Sequence, residues 1–156
     1  MADHMLTPEQ VLALIPQQRP FRFIDRLVEL SESTAVGEYT FRVDENFYKG
    51  HFPGNPVTPG VILVEAMCQT GLVALGIHLL GLELPLEEVA KTITLFTDAE
   101  VEFARVVPPE TTVRVRAQKL FWRRRKLKSK VVLTLADGTY VAGGTVSGMG
   151  VSREQN

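Results

Sequence analysis

A chain of 156 residues fits one domain, and at that size a fold buries roughly 70% of the surface its unfolded form exposes. Seventeen Lys and Arg against eighteen Asp and Glu give a net charge of −1, which argues against a general nucleic-acid binder. Cys68 is the single cysteine, so no internal disulfide forms; with no secretory-type leader pattern, the expected compartment is the cytoplasm.

Met1-Ala2-Asp3-His4-Met5 carries no fold signal and is set aside. Thr7-Pro8-Glu9-Gln10 opens a helix: Thr7 caps, Pro8 suits the first turn and Gln10 completes a capping box, with the helix ending before Pro16. Phe21 to Leu30 and Thr34 to Val43 read as extended segments joined by a turn at Ser31-Glu32-Ser33. Residues 46–58 are irregular. Thr58-Pro59 then repeats the cap-and-proline start signal, and the stretch to Leu80 is apolar on nearly every face. Glu65, Gln69, Thr70 and His78 interrupt it, so it never reaches the roughly 18 uninterrupted apolar residues of a membrane span. A helix of this kind must be wrapped by the rest of the fold.

Glu83 to Lys91 is a polar loop with one helical turn. Strands are expected at Thr92 to Phe96, Glu100 to Phe103, Thr111 to Trp122, Ser129 to Ala136 and, after an Asp137-Gly138 turn, Thr139 to Gly148. Val113, Val115 and Ala117 alternate with Arg114, Arg116 and Gln118, the pattern of a sheet with one face buried. One buried helix of about 33 Å among antiparallel strands makes an α+β domain in which the sheet curls round the helix.

The segment Gly50-His51-Phe52-Pro53-Gly54-Asn55-Pro56-Val57-Thr58-Pro59-Gly60 holds three glycines and three prolines in eleven residues. It fixes one imidazole on a stiff backbone and leads directly into the helix carrying Glu65, the only acidic residue between Glu45 and Glu83. A carboxyl in an apolar wall tends toward a raised pKa, which suits a general acid. Taken singly, each has a plainer explanation: a loop histidine, and a glutamate favoured near the positive end of a helix.

Together with Val61-Ile62-Leu63-Val64-Glu65-Ala66-Met67-Cys68-Gln69, that segment resembles the signature of bacterial 3-hydroxyacyl-acyl-carrier-protein dehydratases of the FabZ type. Pro20-Phe21-Arg22-Phe23-Ile24-Asp25-Arg26 is similar to an early motif of the same family, and Phe103-Ala104-Arg105-Val106-Val107-Pro108 resembles its strand and turn before a proline. The resemblance implies a hotdog fold, a single domain over residues 1–156 in which an antiparallel sheet wraps a long central helix. It implies a homodimer whose site is shared, the loop histidine of one subunit facing the helix glutamate of the other, with a trimer of dimers as a further assembly. The reaction implied is removal of water from (3R)-3-hydroxyacyl thioesters carried on acyl carrier protein, with His51 as the base and Glu65 as the acid.

Gly60 lies in the first helical turn, where amides lack intrahelical partners, so its N–H is the candidate donor to a thioester oxygen; the alternative is that glycine only eases a tight turn. Gln69, one turn after Glu65, either orients that carboxyl or is satisfied by backbone. No phosphate loop or metal-ligand spacing appears, so neither cofactor nor metal is expected. Cys68 reads as a small core residue. Arg123, Arg124, Arg125, Lys126 and Lys128, with Lys130, concentrate charge in one short stretch. They are the candidate dock for the acidic carrier protein, against the alternative of a solvated basic turn that blocks edge pairing.

Three departures from the family pattern bear on substrate choice: Gln17-Gln18-Arg19, Pro109-Glu110 and Ile93-Thr94. They leave open acyl chain length and a specialised lipid, polyene or polyketide-type route. A hotdog thioesterase and a non-catalytic acyl-binding hotdog partner are the rival functions. Isomerising relatives commonly carry aspartate where this chain has Glu65.

Overall fold

The computed structural model describes residues 5–153. The expectation that residues 1–5 stand apart from the fold falls, for 1–4, outside the described residues. Six antiparallel strands form one sheet in the order β1-β2-β4-β5-β6-β3. They are β1 (Arg26–Leu30), β2 (Thr34–Thr40), β3 (Thr92–Phe103), β4 (Thr112–Arg123), β5 (Lys126–Leu135) and β6 (Tyr140–Ser152). Three helices accompany the sheet: α1 (Pro8–Leu14), α2 (Gly60–Gly81) and the single turn α3 (Leu86–Val89). This is the α+β hotdog arrangement, with α2 in the hollow of the sheet.

Helix α1 starts as its sequence dictates: the Thr7 hydroxyl accepts from the Gln10 amide and the Gln10 side chain accepts from the Thr7 amide. Its Val11, with Ile15 just beyond, packs with Ile24, Leu27, Val73, Ile77 and Leu80 in a satellite core. The main core lies between α2 and the sheet, where Leu63, Ala66, Met67, Leu72, Leu75 and Leu79 meet Ala35, Val113, Val115, Ala117, Val131, Leu133 and Val146. Each large apolar side chain buried this way contributes about 1.5–3 kcal/mol. By length and composition α2 would also serve as a membrane span, but 72% of its most apolar window is buried inside the fold. Its apolarity is spent on the core.

Within α2 the residues Gln69–Ala74 form a π-helical segment. Close packing accompanies it: a Cβ on Gly71 would lie 2.9 Å from Val131 Cγ1 and 3.2 Å from Ala117 Cβ. The buried Ser129 hydroxyl donates to the Gly71 carbonyl at 2.7 Å. A hydroxyl of the sheet and a carbonyl of the helix thereby satisfy one another.

The structure corrects several boundaries. Thr92 to Phe96 and Glu100 to Phe103 are one strand, interrupted only by an irregularity between Phe96 and Asp98. Phe21 to Asp25 is not part of β1: the Phe23 amide donates to a side chain of α2 instead of to a neighbouring strand. Thr58 does not cap α2. The cap position is Pro59, and the Thr58 hydroxyl bonds the Tyr48 hydroxyl at 2.6 Å.

Candidate active site

The loop between the short 3-10 turn Asn46–Lys49 and α2 is tied to itself by backbone bonds from Phe52 N to Asn55 O and from Asn55 N to Phe52 O. Gly54 turns the chain at φ 76°, a conformation glycine adopts at little cost. Val57 N donates to His51 O at 3.0 Å, and His51 Nδ1 lies 2.8 Å from Val57 O. A carbonyl only accepts, so Nδ1 carries the proton and Nε2 holds the free lone pair. The Phe52 ring stacks on the imidazole at 4.0 Å and limits its rotation. The fold therefore presents His51 in one tautomer with its basic nitrogen unspent.

Glu65 sits on α2, partly buried, and desolvation raises its carboxyl above the ordinary carboxylate value while a Gln69 hydrogen bond pulls the other way. Gln69 is fully buried with its amide committed to three bonds: Nε2 donates to Glu65 Oε2 and to Phe21 O, each at 2.9 Å, and Oε1 accepts from Phe23 N at 2.7 Å. Backbone thus holds two of the amide's bonds, and the third goes to the Glu65 carboxyl. The Phe23 N–H fixes which end of the amide faces inward, so Glu65 meets a donor. Cys68 is buried beside it, its thiol pushed up to about 12 by burial and by the nearby carboxylate; it is a packing residue.

Gly60 opens α2, and among the described residues its N–H has no hydrogen-bond acceptor. A Cβ there would come within 3.3 Å of the Phe103 ring. Glycine at this position therefore lets the end of β3 close over the first turn. Phe103 thus lies beside the candidate donor; in the sequence it figures only as the first residue of a motif, the aromatic that ends the strand.

The basic stretch is sharper than a loop. Arg124 and Arg125 alone form the β4–β5 turn, at φ 53° and 64°. The structure does not bring this turn to Glu65 within one chain. It lies at the other end of α2, where Trp122 Nε1 donates to Glu83 Oε2 and Gly150 N donates to Arg125 O. Glu65 and Gly81 are sixteen residues apart, about 24 Å of helix. Nor does any hydrogen bond join His51 to Glu65 among the described residues. No group of three or more His, Cys, Asp or Glu among them is arranged to hold a metal ion.

Residues 15–146 match the FabA-like domain family model. The chain belongs to the FabA-like family. Its relatives include proteins named 3-hydroxyacyl-[acyl-carrier-protein] dehydratase FabZ. That of Chloroflexus aggregans is 42% identical over 135 residues, 85% of this chain and 88% of that protein. That of Acetivibrio thermocellus is 39% identical over 144 residues, 91% of this chain and 92% of that protein. Among solved structures, the dehydratase heterocomplex ApeI:P of Xenorhabdus doucetiae contains a chain similar to this one with a TM-score of 0.72 at 12% identity, covering 95% of this chain and 93% of that one. A Haemophilus influenzae thioesterase is similar with a TM-score of 0.66 at 13% identity, covering 97% and 94%. At such identities these two show the fold alone.

Proposed function

We propose that this chain is a 3-hydroxyacyl-acyl-carrier-protein dehydratase of fatty-acid or related acyl-chain synthesis, working in the cytoplasm on (3R)-3-hydroxyacyl thioesters. The observation that carries the reading is geometric: His51 Nδ1 is committed to the Val57 carbonyl, which leaves Nε2 to meet the substrate, while Glu65 is a carboxyl biased by burial toward its acid form. His51 Nε2 removes the proton from carbon 2, and Glu65 delivers a proton to the departing hydroxyl, so water leaves and the trans-2-enoyl thioester remains. Negative charge growing on the thioester oxygen meets the Gly60 N–H at the positive end of α2. Gln69 acts through Glu65, its polar atoms being spent.

A homodimer with a shared site, and its further association into a trimer of dimers, belong to the same proposal. What supports pairing is the edge of the sheet: β3 bonds to β6 on one side only and leaves Leu95, Phe96 and Phe103 about half exposed, the form of edge that pairs with another chain. Antiparallel pairing of two β3 strands reverses one copy against the other. The basic turn, level with Thr94 and Met149, then approaches the Phe103 end of the second copy, toward its Gly60. That gives Arg123, Arg124, Arg125, Lys126 and Lys128 a place to steer an acidic carrier protein to a site their own chain does not reach. Two arginines at positive φ, where each costs about 1–3 kcal/mol, also fit a use beyond turning the chain.

The test is turnover of crotonyl and longer 2-enoyl thioesters on acyl carrier protein, with products separated. Formation of 3-hydroxyacyl thioester supports the reading. Release of the free acid points to the thioesterase instead, and no reaction at any chain length points to a non-catalytic acyl-binding domain.

A further inference from the structure

The loop bearing His51 is closed at its neck by a single side-chain bond. Tyr48, three residues before His51, and Thr58, directly before Pro59, are 5% and 4% exposed, and their hydroxyls lie 2.6 Å apart. The next rung inward is the His51–Val57 pair, with Val57 N donating to His51 O and Val57 O receiving His51 Nδ1. Thr58 is therefore the direct neighbour of the carbonyl that sets the imidazole tautomer. Two residues further on is Gly60. On the outer side, Thr58 N donates to Val107 O, and the Tyr48 ring leans on Phe47 at 4.7 Å within the main core.

From this arrangement we infer that Tyr48 is a positioning residue, which through its hydrogen bond to Thr58 keeps the His51 imidazole and the Gly60 amide in register with each other. The inference rests on the dehydratase reading for its kinetic consequence, but not for its structural one. A helix cap at Thr58 would have held only the helix. By turning to Tyr48, the Thr58 hydroxyl anchors the segment between base and amide donor to the core, so that neither moves without the other. Displacements well under 1 Å are enough to slow proton transfer between groups that must meet a single carbon and a single oxygen.

Tyr48→Phe and Thr58→Val each delete one hydroxyl at nearly constant volume. Each is expected to lower kcat about tenfold while KM stays within about twofold. The double variant should lose no more than either single, because both remove the same bond. Thr58→Ser, which retains the hydroxyl, should recover most of kcat. Without substrate, 15N chemical shifts of the His51 ring should show one tautomer in the parent and in Thr58→Ser, and averaging toward a mixture in Tyr48→Phe and Thr58→Val. Losses that add in the double variant, or variants with lower melting temperatures but parental kcat and parental His51 shifts, would overturn the inference. A parent that turned over no thioester would defeat the dehydratase reading alone, since the ring spectra judge the clamp independently.

Discussion

Gln69 Nε2 donates to Glu65 Oε2 at 2.9 Å across one turn of α2, while the backbone of Phe21 and Phe23 holds the other bonds of the same amide. The acid's orientation is therefore set from the segment before β1, forty-odd residues away in sequence. Gln69→Leu should have two effects. It strands the Phe23 N–H and the Phe21 carbonyl, at about 1–3 kcal/mol for each group left unpaired, read as a fall in melting temperature. It also removes the interaction that lowers the Glu65 pKa, so the limb of kcat/KM that reports Glu65 should move to higher pH. An unmoved limb would separate Gln69 from Glu65.

Glu65 should also leave a mark on stability. Its folded pKa is raised above the ordinary 4.5 by burial, so the folded chain holds the proton more tightly than the unfolded chain does. The stability this contributes is full below the unfolded pKa and is lost as pH rises through the folded one. Glu65→Gln cannot ionise and still accepts from Gln69. It should exceed the parent in melting temperature at neutral pH, with the advantage shrinking as the pH falls to about 4.

Much of this was legible beforehand. The capping box at Thr7, the wrapped apolar helix and the alternation along Val113 to Gln118 are local patterns, and local patterns survive folding. Thr58 misled because a threonine before a proline is a sound cap signal, and nothing local reveals that Tyr48 competes for the same hydroxyl. The break in the expected strand at Phe21 to Asp25 has the same origin: the Phe23 amide and the Phe21 carbonyl both bond Gln69, a partner on a helix nearly fifty residues later. The remoteness of the basic turn from Glu65 is a consequence of topology, which residue types at positions 123–128 do not encode.

The turn itself offers a trade between stability and docking. Replacing Arg124 with Asn and Arg125 with Gly supplies residues that accept positive φ readily. The double variant should unfold at higher temperature by an amount worth about 1–2 kcal/mol. It should also lose efficiency on carrier-bound substrate, while turnover of a small thioester mimic is spared. Charge reversal at both positions should deepen the first loss and spare the second. Equal effects on both substrates would remove the docking role.

A shared site predicts complementation. His51→Ala and Glu65→Ala, each inactive alone, should recover activity when mixed and allowed to exchange subunits, since one of the two sites in each mixed dimer is then intact. Random exchange sets the ceiling at about a quarter of parental activity. Absence of any recovery from exchanged dimers would place both residues of each site on one chain.

The most direct test is a comparison of the folded parent with His51→Ala and Glu65→Ala in dehydration of (3R)-3-hydroxyacyl thioesters on acyl carrier protein. The expected result is trans-2-enoyl product from the parent and a loss of at least about a hundredfold in kcat for each variant, with melting curves showing both still folded. A folded parent that forms no enoyl product, or variants that turn over at the parental rate, would contradict the assignment of this chemistry to His51 and Glu65.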